Sequence, residues 1–417
     1  MRRWGRSVIA GIVTAVSGAV FALLPFNTRF EEEVGLWWLF TMRGAIEPPA
    51  QVVVAAIDGT TGSALELPKL PRDWPRTIHA QLIDSLVARG AAVIVFDMDF
   101  NRTKSAYEDG VFASAIARAN RVVLYEPLVG RKESVETNDG KMVTWVEQKM
   151  PPTPQLSAVA KAMGPFPLPK LGRTAFEFWT FKPSTGNAPT TPAIALQLYT
   201  MHHYDKWLSA LREARVVGLS QLPSDPGEMK QAPQTLGLMD TLRNALSADP
   251  GINERVRSTI DQSSDLGVEE RHLFKSLSAL YSGPEVRNIN FYGPPGTIAR
   301  IPYQALIRPE LQPTLRPVNL KGAVVFVGYS DLADPEQPDR FYTVFTGDDG
   351  VDLSGVEIMA TAFGNLLTDR ALRPSSLGTT LGLIALFGFT VGTALFLMTL
   401  CMNVLSYRLA KRFRGAT

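Results

Sequence analysis

The chain has 417 residues, enough for two or three domains, and its 42 Lys and Arg against 40 Asp and Glu leave a formal charge of +2. So balanced a charge gives no reason to expect a nucleic-acid or strongly acidic partner. The only cysteine is Cys401, which excludes an intrachain disulfide and, in the middle of the chain, thiol catalysis or a cysteine zinc site.

Ser7 to Thr28 carries no charge and has about the length a membrane-spanning helix needs. Arg2, Arg3 and Arg6 precede it, and Glu31, Glu32 and Glu33 follow. Ser375 to Tyr407 is again uncharged and apolar, and Arg408, Lys411, Arg412 and Arg414 come after it. Basic residues on both outer flanks predict two cytoplasmic termini and an exported middle. The resulting division is a tail at 1–6, a membrane helix at 7–28, an extracytoplasmic domain at 29–374, a second membrane helix at 375–407 and a basic tail at 408–417. The alternative for the first segment is an export signal cleaved near Val20-Phe-Ala22. Against it, the apolar run continues to Phe26, and cleavage would leave the second helix without its partner.

Within the exported part, Val52 to Ile57 reads as a buried strand that ends on Asp58. A helix follows, with Asp73 as its cap, Pro75 in its first turn and Ile78, Leu82 and Leu86 on its apolar face; Gly90 stops it. Ala91 to Phe96 is a second buried strand, closing on Asp97 and Asp99. Strand, helix and strand form a βαβ unit, so both strands are parallel and their acids share the carboxyl edge, where open α/β sheets bind ligands. A helix over Asp109 to Asn120, with Val111, Ala115 and Ala119 inward, leads to a strand at Val122 to Tyr125.

Gly130 to Gly172 is rich in Pro, Gly and charge and reads as irregular, with Met142 to Gln148 an edge strand. Pro192 to His202 is helical and packs on the sheet. Residues 205–283 change to polar, amphipathic helix and read as a helical insertion. Val286 to Tyr292 alternates like a strand with one buried face and stops at the turn Gly293-Pro-Pro-Gly296. Ala323 to Val327 is another buried strand, and Gly355 to Leu367 an amphipathic helix with Val356, Met359, Phe363 and Leu366 inward. The fold class is α/β: a mostly parallel sheet with flanking helices and a helical insertion, held between two transmembrane helices.

Several blocks, taken in order, resemble the CHASE type 2 domain, the cyclase/histidine-kinase-associated sensory extracellular module of bacterial receptors. Val53-Val-Ala-Ala-Ile-Asp58 is similar to the family's opening strand, and Trp74-Pro-Arg76 with His79, Leu82, Leu86 and Gly90 to its first helix. Phe96-Asp97-Met-Asp99-Phe100 is similar to its centre. Asn290-Phe-Tyr-Gly-Pro-Pro-Gly296 with Ile301-Pro-Tyr303 resembles its later turn. Lys321 to Gly328, Gly355 to Ala362 and Asn365-Leu-Leu367 resemble its closing strand and helix.

Three departures accompany the resemblance. A Pro-Asp-x-Asp-Gly-Val-Arg stretch is not recognisable near Lys170 to Pro192, the 205–283 block is longer than the family's usual connection, and one hydrophobic segment precedes Thr417 where relatives continue into a cyclase or kinase.

Asp58, Asp97 and Asp99 converge on one sheet edge, where carboxylates can hold a divalent cation. The competing reading has Asp58 and Asp97 capping helices or pairing with Arg76, because a buried acid needs a partner. Trp74 and Arg76, above the same edge, are the better ligand-facing candidates, an indole and a guanidinium suited to an anionic or planar ligand. Their structural alternative is that Arg76 neutralises Asp58 or Asp97 while Trp74 fills the core. His202-His203 point apart if helical and read as packing residues. Gly328-Tyr-Ser330-Asp331 lacks the second glycine of a nucleophile elbow, and Gly293 to Gly296 lacks the lysine of a phosphate loop.

The last apolar segment, Pro374 to Tyr407, would reach about 50 Å as a helix against a hydrocarbon core of about 30 Å. Gly388-x-x-x-Gly392 in it is a close-packing face for a partner helix.

The function expected is a non-enzymatic sensory receptor relaying ligand state through the helix at 355–367 and the C-terminal membrane helix to a cyclase or kinase output. The alternatives are an exported metal-dependent hydrolase using Asp58, Asp97 and Asp99, and an envelope assembly module binding through residues 205–283. The partners expected are membrane lipid, an extracytoplasmic ligand, an output module and a second copy of the chain; no cofactor and no nucleic acid is predicted.

Overall fold

The structure, a computed structural model, describes residues 2–23, 31–137, 140–169, 175–311, 318–337, 339–346, 350–373 and 375–414. It forms two compact units, Phe40–Leu372 and the two chain ends, Met1–Leu39 with Arg373–Thr417.

In the larger unit, β1 (Val52–Ile57), β2 (Val93–Phe96), β3 (Val122–Tyr125), β6 (Ala162–Gly164), β9 (Ala299–Pro302) and β10 (Val324–Tyr329) form one parallel sheet in the order β9-β1-β10-β2-β3-β6. Between β3 and β6 comes a hairpin of β4 (Leu128–Thr137) and β5 (Gly140–Lys149). A separate antiparallel pair joins β7 (Glu177–Trp179) to β8 (Val286–Asn288). The central strands are rich in β-branched residues and, except for the half-buried Tyr329 at the end of β10, buried along their length because helices cover both faces. On one face, Val53, Ala55 and Ile57 pack with Ile94 and Phe96 beneath α1 (Arg76–Ala88) and α2 (Ala106–Ala119). The opposite face lies under α3 (Thr191–Tyr199) and, after the helical block α4 (Tyr204–Glu213), α5 (Ala232–Ser247), α6 (Ile252–Gln262) and α7 (Val268–Ser282), under α9 (Gly355–Leu367). The short α8 (Tyr303–Ile307) connects β9 to the chain leading to β10.

The differences from the sequence reading have physical reasons. α1 starts at Arg76 with Pro75 before it, and Asp73 does not cap it; the first N–H is instead satisfied by Glu108 Oε2 at 2.9 Å, reaching over from α2. α2 begins earlier than expected, at Ala106, with Ser105 accepting from the Glu108 N–H, and its inward residues include Phe112 and Ile116. The Gly130–Gly172 stretch is not irregular throughout: β4 and β5 form a hairpin and β6 closes the sheet edge, while Lys170 to Gly172 lie outside the described residues. Val286 to Tyr292 is extended only to Asn288 and pairs outside the main sheet, whereas β9 joins it. α9 is not amphipathic. All thirteen of its residues are buried, because α3 and α7 pack over its outer side; Tyr199 meets Phe363 with ring centroids 6.3 Å apart, and Ser276 donates to the Leu367 carbonyl at 2.9 Å.

His79 sits in an aromatic cluster with Trp74, Phe96, Phe100, Phe112 and Tyr303, its Nδ1 2.8 Å from the Tyr303 hydroxyl. Burial, helped by the Arg76 and Lys104 charges, pushes its pKa down to about 3. A depressed folded pKa contributes stability that is complete above about 6.5 and is lost as pH falls toward about 3. In a His79→Gln variant the acid limb of the melting temperature, measured between those values, is expected to flatten. An acid limb as steep as the parent's would rule this role out.

In the smaller unit, the helix Arg2–Ala22 runs antiparallel to the helix Leu377–Arg414. Leu377–Ser406, 30 residues, is long and apolar enough to cross a membrane. Ser7–Ala22 is a shorter apolar stretch, below the roughly 20 residues of a full crossing, and the rest of the expected first segment, 24–28, lies outside the described residues. A Cβ on Gly388 would fall 2.9 Å from Ala15 Cα, and one on Gly392 2.7 Å from Thr14 Oγ1. Gly11 answers from the other helix, its Cβ position 2.8 Å from the Phe389 carbonyl oxygen. Small residues at this spacing let two backbones approach, which is what larger side chains prevent.

Candidate functional site

The carboxyl ends of β1, β10, β2, β3 and β6 line one edge of the sheet, and the acids expected there do not meet. β10 lies between β1 and β2, so Asp58 stands two strand spacings, roughly 10 Å, from the Asp97 strand. Asp58 Oδ1 accepts from the backbone and hydroxyl of both Thr60 and Thr61 at 2.7–2.9 Å, closing the turn into the short helix Thr61–Ala64. The neighbouring Asp331 accepts from the Gly59 N–H at 2.8 Å and from the Ala333 N–H at 2.8 Å. These two acids bind backbone. Among the described residues no group of three His, Cys, Asp or Glu is placed to hold a metal ion, which removes the Asp58, Asp97 and Asp99 metal triad.

Trp74 and Arg76 are core residues and not ligand-facing. Trp74 is 1% exposed, and its indole N–H donates to the Pro68 carbonyl. Arg76 pairs with neither Asp58 nor Asp97. Its Nε lies 3.4 Å from Asp109 Oδ1, Nη2 donates to the Arg102 carbonyl at 2.8 Å, and Cζ stands 4.4 Å from the Phe100 ring centre. Burial lowers its pKa and the Asp109 carboxylate opposes that shift. From the sequence Asp109 marks only the start of a helix; the i, i+3 relation to Phe112 points it into the same interior.

Asp97 and Asp99 follow β2 after the strand has ended. Asp99 is exposed, and its carboxylate accepts from the Asn101 N–H at 2.9 Å. Asp97 is half-buried where the chain passes Gly328 and the start of α9. Its pKa is pushed up to about 8, first by burial and then by the like charge of Asp339. Asp339 packs against Gly355, the first residue of α9, where a Cβ would collide with its Oδ2. The Tyr125 hydroxyl is raised by burial and by Asp97, Asp339 and Asp99, so these four side chains form one electrostatic group. Asp97 is thus held largely protonated near neutrality, able to donate a hydrogen bond, at the N-terminal end of a helix whose dipole favours negative charge.

Beside this group, past Tyr125 and Gly164, is a cleft of about 260 Å³ lined by Glu126, Lys149, Asn187 and Asp240 among others. Glu126 is 7% exposed, its N–H donates to the Gly164 carbonyl, and its carboxylate lies 3.8 Å from Lys149 Nζ. Burial raises the Glu126 pKa against the pull of Lys149. Glu126 follows its strand as Asp58 and Asp97 follow theirs, so the strand-end signal that singled them out was present; Asp339, in a loop, had none.

The other sequence candidates are structural. His202 and His203 lie in a 3-10 turn, not an α-helix, so their rings meet with centroids 4.0 Å apart, and His203 pairs with Glu270 at 3.1 Å. Ser330 is buried with no hydrogen-bond partner for its hydroxyl among the described residues, whereas a nucleophile needs a base beside it.

The family model for the CHASE2 domain matches residues 12–397, beginning inside the N-terminal helix and ending inside the C-terminal one. The chain belongs to the CHASE2 domain family. Membership supports an extracellular sensory role for this CHASE2 domain, and the parallel α/β sheet is the scaffold on which it is built. No curated protein matches the chain, and no solved structure does.

Proposed function

We propose that this chain is the extracytoplasmic sensory domain of a bacterial transmembrane receptor, anchored through both terminal helices, which relays ligand state across the membrane to a cyclase or kinase output. The observation that carries the reading is the CHASE2 match, whose ends fall within both apolar helices. The ligand site in this reading is the carboxyl edge at β3 and β6, where the Glu126–Lys149 cleft adjoins the Asp97 group. A carboxylate and an ammonium held 3.8 Å apart, too far for a tight hydrogen bond, suit a small polar ligand that engages both. Signalling requires that such a ligand bind two conformations unequally. The output step runs through α9, which receives Asp97 and Asp339 at its first turn and ends at Leu367, ten residues before the C-terminal helix begins at Leu377.

Topology is the direct test. In a Cys401→Ser background, Ser114→Cys is expected to react with a membrane-impermeant thiol reagent on intact cells, and Arg412→Cys only after permeabilisation. Labelling of Arg412→Cys on intact cells would overturn the two-crossing arrangement, and protection of Ser114→Cys would overturn the exported domain.

A further inference from the structure

At the opposite edge of the sheet, where β2, β3 and β6 begin, is a second cavity of about 310 Å³. Asn120, Arg121, Lys161, Tyr199 and His202 line it, and among the described residues no carboxylate does. The two cations are built into the fold. Arg121 Nε donates to the Ala119 carbonyl at 3.1 Å and Nη1 to the Ala91 carbonyl at 2.8 Å, which leaves Nη2 without a partner among the described residues. Lys161 is 9% exposed; its ammonium donates to Asn120 Oδ1 at 3.1 Å and to the Met229 carbonyl, with a third proton to spare. Neither forms an ion pair among the described residues. Each is held only by neutral oxygens, so two positive charges face one cavity without an ion-pair partner among the described residues, although a buried ammonium is costly without one.

We propose that this cavity binds a small oxyanion, a phosphate or carboxylate group, clamped between the Arg121 guanidinium and the Lys161 ammonium. Paired charge-assisted hydrogen bonds to anionic oxygens are the strongest interaction those two side chains offer. Burial lowers the Lys161 pKa, and an anion beside the ammonium would oppose that shift. His202 is exposed at the rim and takes the field of Glu269 and Glu270 from α7, so the attraction rests on Arg121 and Lys161. The site is separate from the Glu126 cleft but connected to the same helices: Tyr199 lines the cavity and touches Phe363 of α9.

The test uses the full chain in detergent micelles, with thermal unfolding and calorimetric titration in inorganic phosphate, in citrate and in chloride at matched ionic strength. Phosphate or citrate is expected to raise the melting temperature above the chloride control by more in the parent than in His202→Asp, a comparison that cancels the general stabilisation by these anions, the active arm identifying the oxyanion class. Lys161→Met and Arg121→Gln are each expected to weaken binding at least tenfold. Because the first of these changes a buried residue, His202→Asp serves as a surface variant: its carboxylate at the rim should weaken binding about tenfold while leaving the fold intact. Lys149→Met, at the other edge, should leave anion binding unchanged, so this proposal and the placement of the sensory ligand can fail separately. Equal melting temperatures in all three salts, or undiminished affinity in His202→Asp, would overturn it.

Discussion

Asp109→Ala is expected to destabilise the sensory domain by about 3–5 kcal/mol, the usual cost of leaving one member of a buried ion pair uncompensated. Both side chains are at least 95% buried. Removing the carboxylate strands the Arg76 guanidinium over Phe100 with only the Arg102 carbonyl as an acceptor, and it frees the Lys104 N–H, which Asp109 Oδ2 accepts at 3.1 Å. Arg76→Met should cost a similar amount by stranding the acid. The double variant Arg76→Met/Asp109→Leu, which replaces both charges by apolar volume, should lose much less than the two single losses together, because neither charge is then left alone. Chemical unfolding of the four proteins measures this directly. Additive losses would mean that the pair is not a unit and that each side chain acts through packing alone.

A second large effect is expected to have the opposite sign. With its folded pKa pushed up to about 8 against an ordinary value of 3.8, Asp97 favours folding most fully below the lower value. That contribution is lost as pH rises through the window and is gone above about 8. Asp97→Asn cannot ionise, and it keeps the shape. It should therefore match the parent near pH 4 and exceed it in stability by on the order of a few kcal/mol near pH 9. The difference between the two proteins, not either curve alone, isolates this group from the others that titrate. A constant difference across the pH range would show that Asp97 ionises freely and that its proximity to Asp339 has no energetic weight. If the protonated carboxyl also serves the ligand as a donor, the same variant separates stability from sensing, since the asparagine amide donates as well.

Much of the sheet was legible because its signals are local. Val52–Ile57, Val93–Phe96, Val122–Tyr125 and Val324–Tyr329 are short β-branched runs, and a strand buried on both faces requires just that composition. β9 escaped because Ala299-Arg-Ile-Pro carries two polar or small residues and a proline, tolerable at the outermost strand of the sheet. The site was harder. That Asp58 and Asp97 lie at one edge follows from parallel strands; that β10 separates them does not, because pairing across the chain has no local signature. Arg76 reads from the sequence as ligand-facing, with Asp58 or Asp97 as its partner in the alternative, and its true partner, Asp109, has no local signature for the same reason. Its partner arrives from α2, three residues before Phe112 in sequence and visible only once the two helices pack together. Asp339 reaches the Asp97 group from a loop with no periodicity at all.

The insertion of β10 between β1 and β2 has a consequence for how the domain is made. Val52 pairs with Val324 and Val324 with Val93, so the middle of the sheet stays open until nearly the whole of the Phe40–Leu372 unit is present. Contacts this distant in sequence imply slow folding, with the edges of two strongly apolar strands unpaired in the meantime. A chain synthesised from its N-terminus therefore spends its emergence with its most aggregation-prone segments uncovered, and the last strand of the sheet to arrive is the one that seals them.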